Sequence, residues 1–97
     1  MDRHGIALVL DEVMAGFGRT GKMFSYMHAD IEPDIVTMAK GLTSSYVPLG
    51  AMGVSDAIHE HFKKNTYWGG LTYNSHPFCL RIAEAVVRTM LEEKMVE

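Results

Sequence analysis

Cysteine is nearly absent: the 97-residue chain has one, Cys79, so it cannot form an internal disulfide. No Cys-x-x-Cys pair or Cys/His ligand spacing occurs, which removes the usual zinc patterns. A reducing, cytoplasmic setting is the expectation. The five histidines, His4, His28, His59, His61 and His76, include no pair at i,i+4 spacing, so solvated or helix-capping roles are expected and no metal site. Basic residues do not cluster beyond Lys63-Lys64, and the formal charge is −3. Neither nucleic acid nor an anionic membrane is therefore expected as a partner. Long hydrophobic runs are also missing. The longest early one, Ile6 to Leu10, is too short for a signal-peptide core or a membrane span.

What remains is the composition of a globular chain, 47% apolar and 22% charged, of a size for one domain or part of one. The eight methionines are scattered over apolar positions and read as core filling. No repeat, low-complexity tract or linker interrupts the chain.

Ile6 to Leu10 ends in Asp11-Glu12, the pattern of a strand buried on both faces of a parallel sheet with Asp11 at its carboxyl end. Gly16 to Lys22 is glycine-rich loop, followed by a short helical turn around Met23 to His28 that Pro33 closes. Ile35 to Ala39 reads as a second buried strand delivering Lys40-Gly41 to the sheet edge. Leu49 to Val54 is a third short apolar run. Ser55 is placed to cap an amphipathic helix from Asp56 to about Lys64. Tyr67 to Ser75 is aromatic and glycine-rich loop. The last helix begins near Pro77 and puts Cys79, Ile82, Ala83, Val86 and Met90 on one face. Alternating strands and helices make α/β the expected class.

Three chemistries compete for the two charged strand ends. Gly16, Gly18 and Gly21 match G-x-G-x-x-G after a strand, but Pro33-Asp34 leaves little room for the long helix that a dinucleotide site needs. The next strand also ends in Lys40, where an acid should hold the ribose. Gly16 to Lys22 matches P-loop spacing too, yet Met23 stands where Ser or Thr must bind Mg²⁺, and the acidic strand precedes the loop. A carboxylate at one strand end and a lysine at the next suit a pyridoxal phosphate site: the acid keeps the pyridine nitrogen protonated and the lysine holds the aldehyde as an imine. A lysine partly desolvated there loses its proton readily and can serve as a base. On spacing alone, the plain alternative stands: buried strands often end in charged residues that reach solvent.

Four blocks in order decide between them: Leu10-Asp11-Glu12-Val13-Met14-Ala15-Gly16-Phe17-Gly18-Arg19-Thr20-Gly21-Lys22, then Pro33-Asp34-Ile35-Val36-Thr37-Met38-Ala39-Lys40-Gly41-Leu42, then Pro48-Leu49-Gly50-Ala51, then Gly70-Leu71-Thr72-Tyr73-Asn74-Ser75-His76-Pro77. Over essentially the whole chain they resemble class III aminotransferases of fold type I. The resemblance implies part of the pyridoxal-phosphate-binding large domain over residues 1–97, a mostly parallel sheet with flanking helices. It implies that Asp11 pairs with the pyridine nitrogen of pyridoxal 5'-phosphate, that Lys40 carries the cofactor, and that Val13 packs on the ring. It also implies that Thr72 hydrogen-bonds the phosphate of the neighbouring subunit's site, hence a homodimer.

Met14 stands where several branches carry glutamine able to bond the cofactor's phenolic oxygen. With Thr43 to Pro48, it resembles the branch that moves an amino group from an amine or ω-amino acid to a 2-oxo acid such as pyruvate. Asn74-Ser75 departs from the Ser-Gly often seen before His-Pro. Arg19 is either structural or pairs with an acid near the site entrance. The family's chains are several times longer, with the phosphate cup upstream and a small domain downstream, so the segment alone is expected not to complete a site. A noncatalytic oligomerisation remnant is the competing reading, and decarboxylases and aminomutases share the same core.

Overall fold

The computed structural model describes residues 4–96. Strand β1 is Val9–Asp11, β2 is Ile35–Met38 and β3 is Ala51–Val54; helix α1 is Asp56–Lys64 and helix α2 is Pro77–Glu92. Short 3-10 turns occupy Ser25–His28 and Lys40–Thr43. The order and the α/β class follow the expectation from sequence. No helix among the described residues is long and apolar enough to cross a membrane.

The sheet is mixed. β1 and β2 are parallel, with Val9 opposite Ile35 and Asp11 opposite Thr37. β2 and β3 are antiparallel, with Ile35 opposite Val54 and Met38 opposite Ala51. The mostly parallel arrangement does not extend to this second pair. A parallel neighbour needs a long crossover, usually helical, and the segment between β2 and β3 contains only the Lys40–Thr43 turn, so the chain doubles back.

β1 is shorter than the run Ile6 to Leu10. Asp34 ends it: its Oδ2 accepts the Leu8 N–H at 2.7 Å, while the Asp34 and Ile35 N–H groups donate to the Leu8 carbonyl at 2.9 and 3.1 Å. Residues before Leu8 have no pairing partner in β2, because β2 begins only at Ile35. Burial on both faces is also not seen. β1 is an edge strand of this sheet and Val9 is half exposed.

Helix α1 begins at Asp56 as its sequence indicates, but Ser55 caps it through the backbone alone. The Ser55 carbonyl accepts the His59 N–H at 3.0 Å, while the buried Ser55 Oγ has no partner. Helix α2 begins at Pro77, where a missing N–H is harmless. Its expected face is the inner one: Ala83 is buried, and Cys79, Ile82, Val86 and Met90 are half-buried. α2 packs against the Lys40–Thr43 turn, and Leu42 and Ala83, one on each, are the buried apolar residues among those described.

Little else is covered. The accessible surface is 7550 Å², against about 5,500 Å² expected for a folded monomer of this mass. The radius of gyration is 14.8 Å, against about 12.5 Å for a compact domain of this length. Trp68, Tyr46, Leu71 and Tyr73 stand in solvent.

Candidate active site

The parallel pairing decides where the chemistry sits. Adjacent parallel strands end on the same side of a sheet, and Asp11 is the last residue of β1 while Lys40 follows β2 within two residues. The Glu12 N–H adds one more rung, donating to the Thr37 carbonyl at 2.9 Å. Asp11 Oδ1 accepts the Val13 N–H at 2.9 Å, which turns the chain sharply past the strand and orients the carboxylate. The carboxylate remains exposed.

Lys40 adopts φ 40°, left-handed backbone that is unfavourable for a side chain with a Cβ. Such strain persists only where surrounding contacts hold it. Its Nζ contacts the Met14 sulfur, a weak acceptor that leaves the amine uncommitted to any carboxylate. Lys40 is exposed, so the partial desolvation expected of it is not supplied by the described residues.

An open depression of about 390 Å³ lies beside Lys40; Val13, Met14, Phe17, Arg19, Lys40 and Gly41 line it, together with Gly16 and Gly18, while Asp11 does not. The glycines are there for space. A Cβ on Gly41 would lie 2.7 Å from Phe17 Cβ, and one on Gly16 would lie 2.8 Å from the Glu12 carbonyl oxygen. Gly18 and Gly21 have φ of 87° and 89°, so Gly16 to Lys22 is loop. Only the short 3-10 turn Ser25–His28 comes between those glycines and β2, not the long helix that a dinucleotide site would require.

Val13, Met14 and Lys40 are thus brought together, with Asp11 at the same sheet end. Thr72 is not. It lies exposed in the turn that the Asn74 N–H closes on the Leu71 carbonyl at 3.0 Å, and it does not line the depression. Arg19 does line it, exposed.

Sequence reasoning missed Glu12. Its side chain is 1% exposed and accepts from the Ser25 hydroxyl, from the Ser25 N–H at 3.0 Å and from the Tyr26 N–H at 3.0 Å. Burial pushes its pKa up and so does the charge of Asp11, but the bonds from Ser25 and Tyr26 outweigh both and hold the carboxyl below the usual glutamate range. Strand alternation was the available signal: consecutive residues point to opposite faces, so Asp11 and Glu12 could not share a role.

An acid and an uncommitted lysine at adjacent parallel strand ends, with Val13 and close-approach glycines beside the lysine, fit the pyridine nitrogen and the aldehyde of pyridoxal phosphate, though not its phosphate. The chain belongs to the class-III aminotransferases, whose family model matches residues 1–97, and whose cofactor is pyridoxal 5'-phosphate. It is 38% identical over 96 residues to putrescine–pyruvate aminotransferase from Pseudomonas aeruginosa, covering 98% of this chain and 21% of that protein. Among solved structures, an S-selective transaminase from Arthrobacter sp. with alanine bound matches with a TM-score of 0.95 and 43% identity over 99% of this chain and 21% of that one. Taurine:2-oxoglutarate aminotransferase from Bifidobacterium kashiwanohense, in complex with PLP and glutamate, matches with a TM-score of 0.95 and 45% identity over 98% of this chain and 21% of that one. These neighbours are fold type I transaminases. The chain spans about a fifth of the length of the relatives it matches.

Proposed function

We propose that residues 1–97 are the cofactor-lysine part of the large domain of a transaminase that moves an amino group from an amine or ω-amino acid to a 2-oxo acid such as pyruvate. The observation that carries this is the parallel register of β1 and β2, which sets Asp11 and Lys40 at one end of the sheet. Pyridoxal 5'-phosphate, when bound, supplies an aldehyde for the amine and a ring that withdraws electrons from the substrate carbon.

The chain's own residues do the rest. Asp11 would hold a proton on the pyridine nitrogen, and the Val13 N–H orients its carboxylate. Lys40 Nζ would hold the cofactor through its aldehyde, and its free amine would move the amino donor's carbon-bound proton as a general base and acid. Its contact with a thioether leaves that amine free for the task. Val13, which lines the depression with Lys40, would pack on the ring and keep water from it. Thr72, exposed and not in the lining of the depression beside Lys40, would serve the phosphate of a neighbouring subunit in a homodimer. The pyruvate preference is supported by Met14 and by the putrescine–pyruvate relative. The single thiol suits a cytoplasmic protein.

The surface of 7550 Å² favours a second statement, that this segment acts only together with further polypeptide covering its open sheet. The test is the visible absorption of the chain titrated with pyridoxal phosphate, beside Lys40→Ala. A saturable band that Lys40→Ala abolishes supports the assignment; equal bands in both would overturn it. Turnover with pyruvate against 2-oxoglutarate then decides the acceptor.

A further inference from the structure

The left-handed backbone at Lys40 needs something to hold it, and a continuous path of contacts leads from it to a buried carboxylate. Gly41 lies against the Phe17 side chain, so close that a Cβ there would fall 2.7 Å from Phe17 Cβ. Phe17 is itself in left-handed backbone, φ 58°, with its N–H donating to the Met23 carbonyl at 2.7 Å. The Phe17 ring meets Phe24 edge-on at 5.5 Å, and Phe24 stacks on Tyr26 at 5.7 Å. Ser25 and Tyr26 are the two residues whose N–H groups, with the Ser25 hydroxyl, bind the Glu12 carboxylate.

Glu12 is also tied through its main chain. Its N–H reaches Thr37 in β2 and its carbonyl accepts the Gly16 N–H, both at 2.9 Å. One residue therefore joins both parallel strands, the start of the glycine loop and the aromatic turn. A buried carboxylate with this many donors is costly to disturb, because an amide in its place keeps one acceptor oxygen and sets a donor against a group that the other oxygen accepted from.

We propose that Glu12 is a positioning residue for Lys40, acting through the Ser25-Tyr26 turn, the Phe24 and Phe17 rings and Gly41. Asp11 aims at the cofactor from one side of the strand end, and Glu12, pointing the other way, fixes the backbone that presents the lysine. The inference rests on the assignment of Lys40 given above for its functional meaning, though not for its geometry.

Glu12→Gln, Ser25→Ala and Phe17→Leu test it in the full chain, with Ile58→Ala on α1 as a variant that weakens the protein outside this path. In the cofactor-free chain, hydrogen exchange is read at Leu42, Ser44 and Ser45, whose N–H groups close the turn on the Ala39, Gly41 and Lys40 carbonyls. Exchange there is expected to quicken about ten-fold in Glu12→Gln and Phe17→Leu, less in Ser25→Ala, and not in Ile58→Ala. Pyridoxal phosphate affinity read from the Lys40-dependent band is expected to fall about ten-fold in the same order, with a shifted pH midpoint.

Exchange and affinity in the path variants equal to those of Ile58→Ala would overturn the proposal. If Glu12→Gln does not fold, Ser25→Ala and Phe17→Leu decide by the same criteria. Absence of a Lys40-dependent band in the parent would overturn the cofactor assignment alone, since the exchange arm still shows whether Glu12 orders the Lys40 turn.

Discussion

Phe17 and Gly41 touch so closely that the second position has no room for a side chain: an added Cβ would sit 2.7 Å from Phe17 Cβ and 3.1 Å from Phe17 Cδ2. The contact joins the glycine loop to the residue after Lys40. Gly41→Ala should therefore destabilise by about 1 to 3 kcal/mol, the usual range for overpacking. Phe17→Ala removes the obstructing ring but not its Cβ, so it should relieve only part of that loss. A double-mutant cycle by urea unfolding measures the coupling, and strict additivity would contradict the contact.

Acid stability should depend on Glu12. Its folded-state pKa lies below the unfolded one, so the folded state binds fewer protons as pH drops. The stability it contributes is fully present above the unfolded value of about 4.3 and is lost as pH falls through the folded value. Thermal midpoints of the parent should drop more steeply, as pH falls below about 4.3, than those of Glu12→Gln, whose neutral amide does not titrate there. Parallel curves would mean that Glu12 is not the group responsible.

Met14 touches Lys40 Nζ through sulfur, which accepts hydrogen bonds poorly. An amide in its place could bond the phenolic oxygen of bound pyridoxal phosphate. Met14→Gln should tighten cofactor binding about five-fold, the worth of one net hydrogen bond of about 1 kcal/mol. Equilibrium titration of the absorption band reads it, and unchanged or weaker binding would remove Met14 from the cofactor's surroundings.

These effects differ in how far they could be read from the chain alone. The inner face of α2 was legible because Cys79, Ile82, Ala83, Val86 and Met90 recur at helical spacing, and spacing survives whatever the helix packs against. Asp11 and Lys40 were legible as strand ends because a charge terminating an apolar run marks where a buried strand emerges. The burial of β1 was not, since its run of apolar residues reports what a strand is suited to and not which neighbours these residues supply. The direction of β3 depended on what lies between Ala39 and Gly50. Glu12, Ser25 and Phe17 escaped for a different reason: strand alternation turns Glu12 away from Asp11, but these contacts join residues 13 or more positions apart, and nothing local names the partners.

Thr72 gives the sharpest test of the assembly, because it stands exposed and does not line the depression that Lys40 lines in its own chain. If it serves the neighbouring subunit, Lys40→Ala removes the site of its own subunit, and Thr72→Ala weakens only the site next door. Each homodimer is then impaired at both sites. In a mixed dimer one site carries both lesions and the other carries neither, since it combines an intact Lys40 with an intact Thr72 from its partner. Mixing the two variants should therefore restore about half of the parental high-affinity cofactor sites per mixed dimer, a complementation set by symmetry. Titration of the mixture against each variant alone measures it. Cofactor binding no better than the average of the two homodimers would place Thr72 in its own subunit's site or in none.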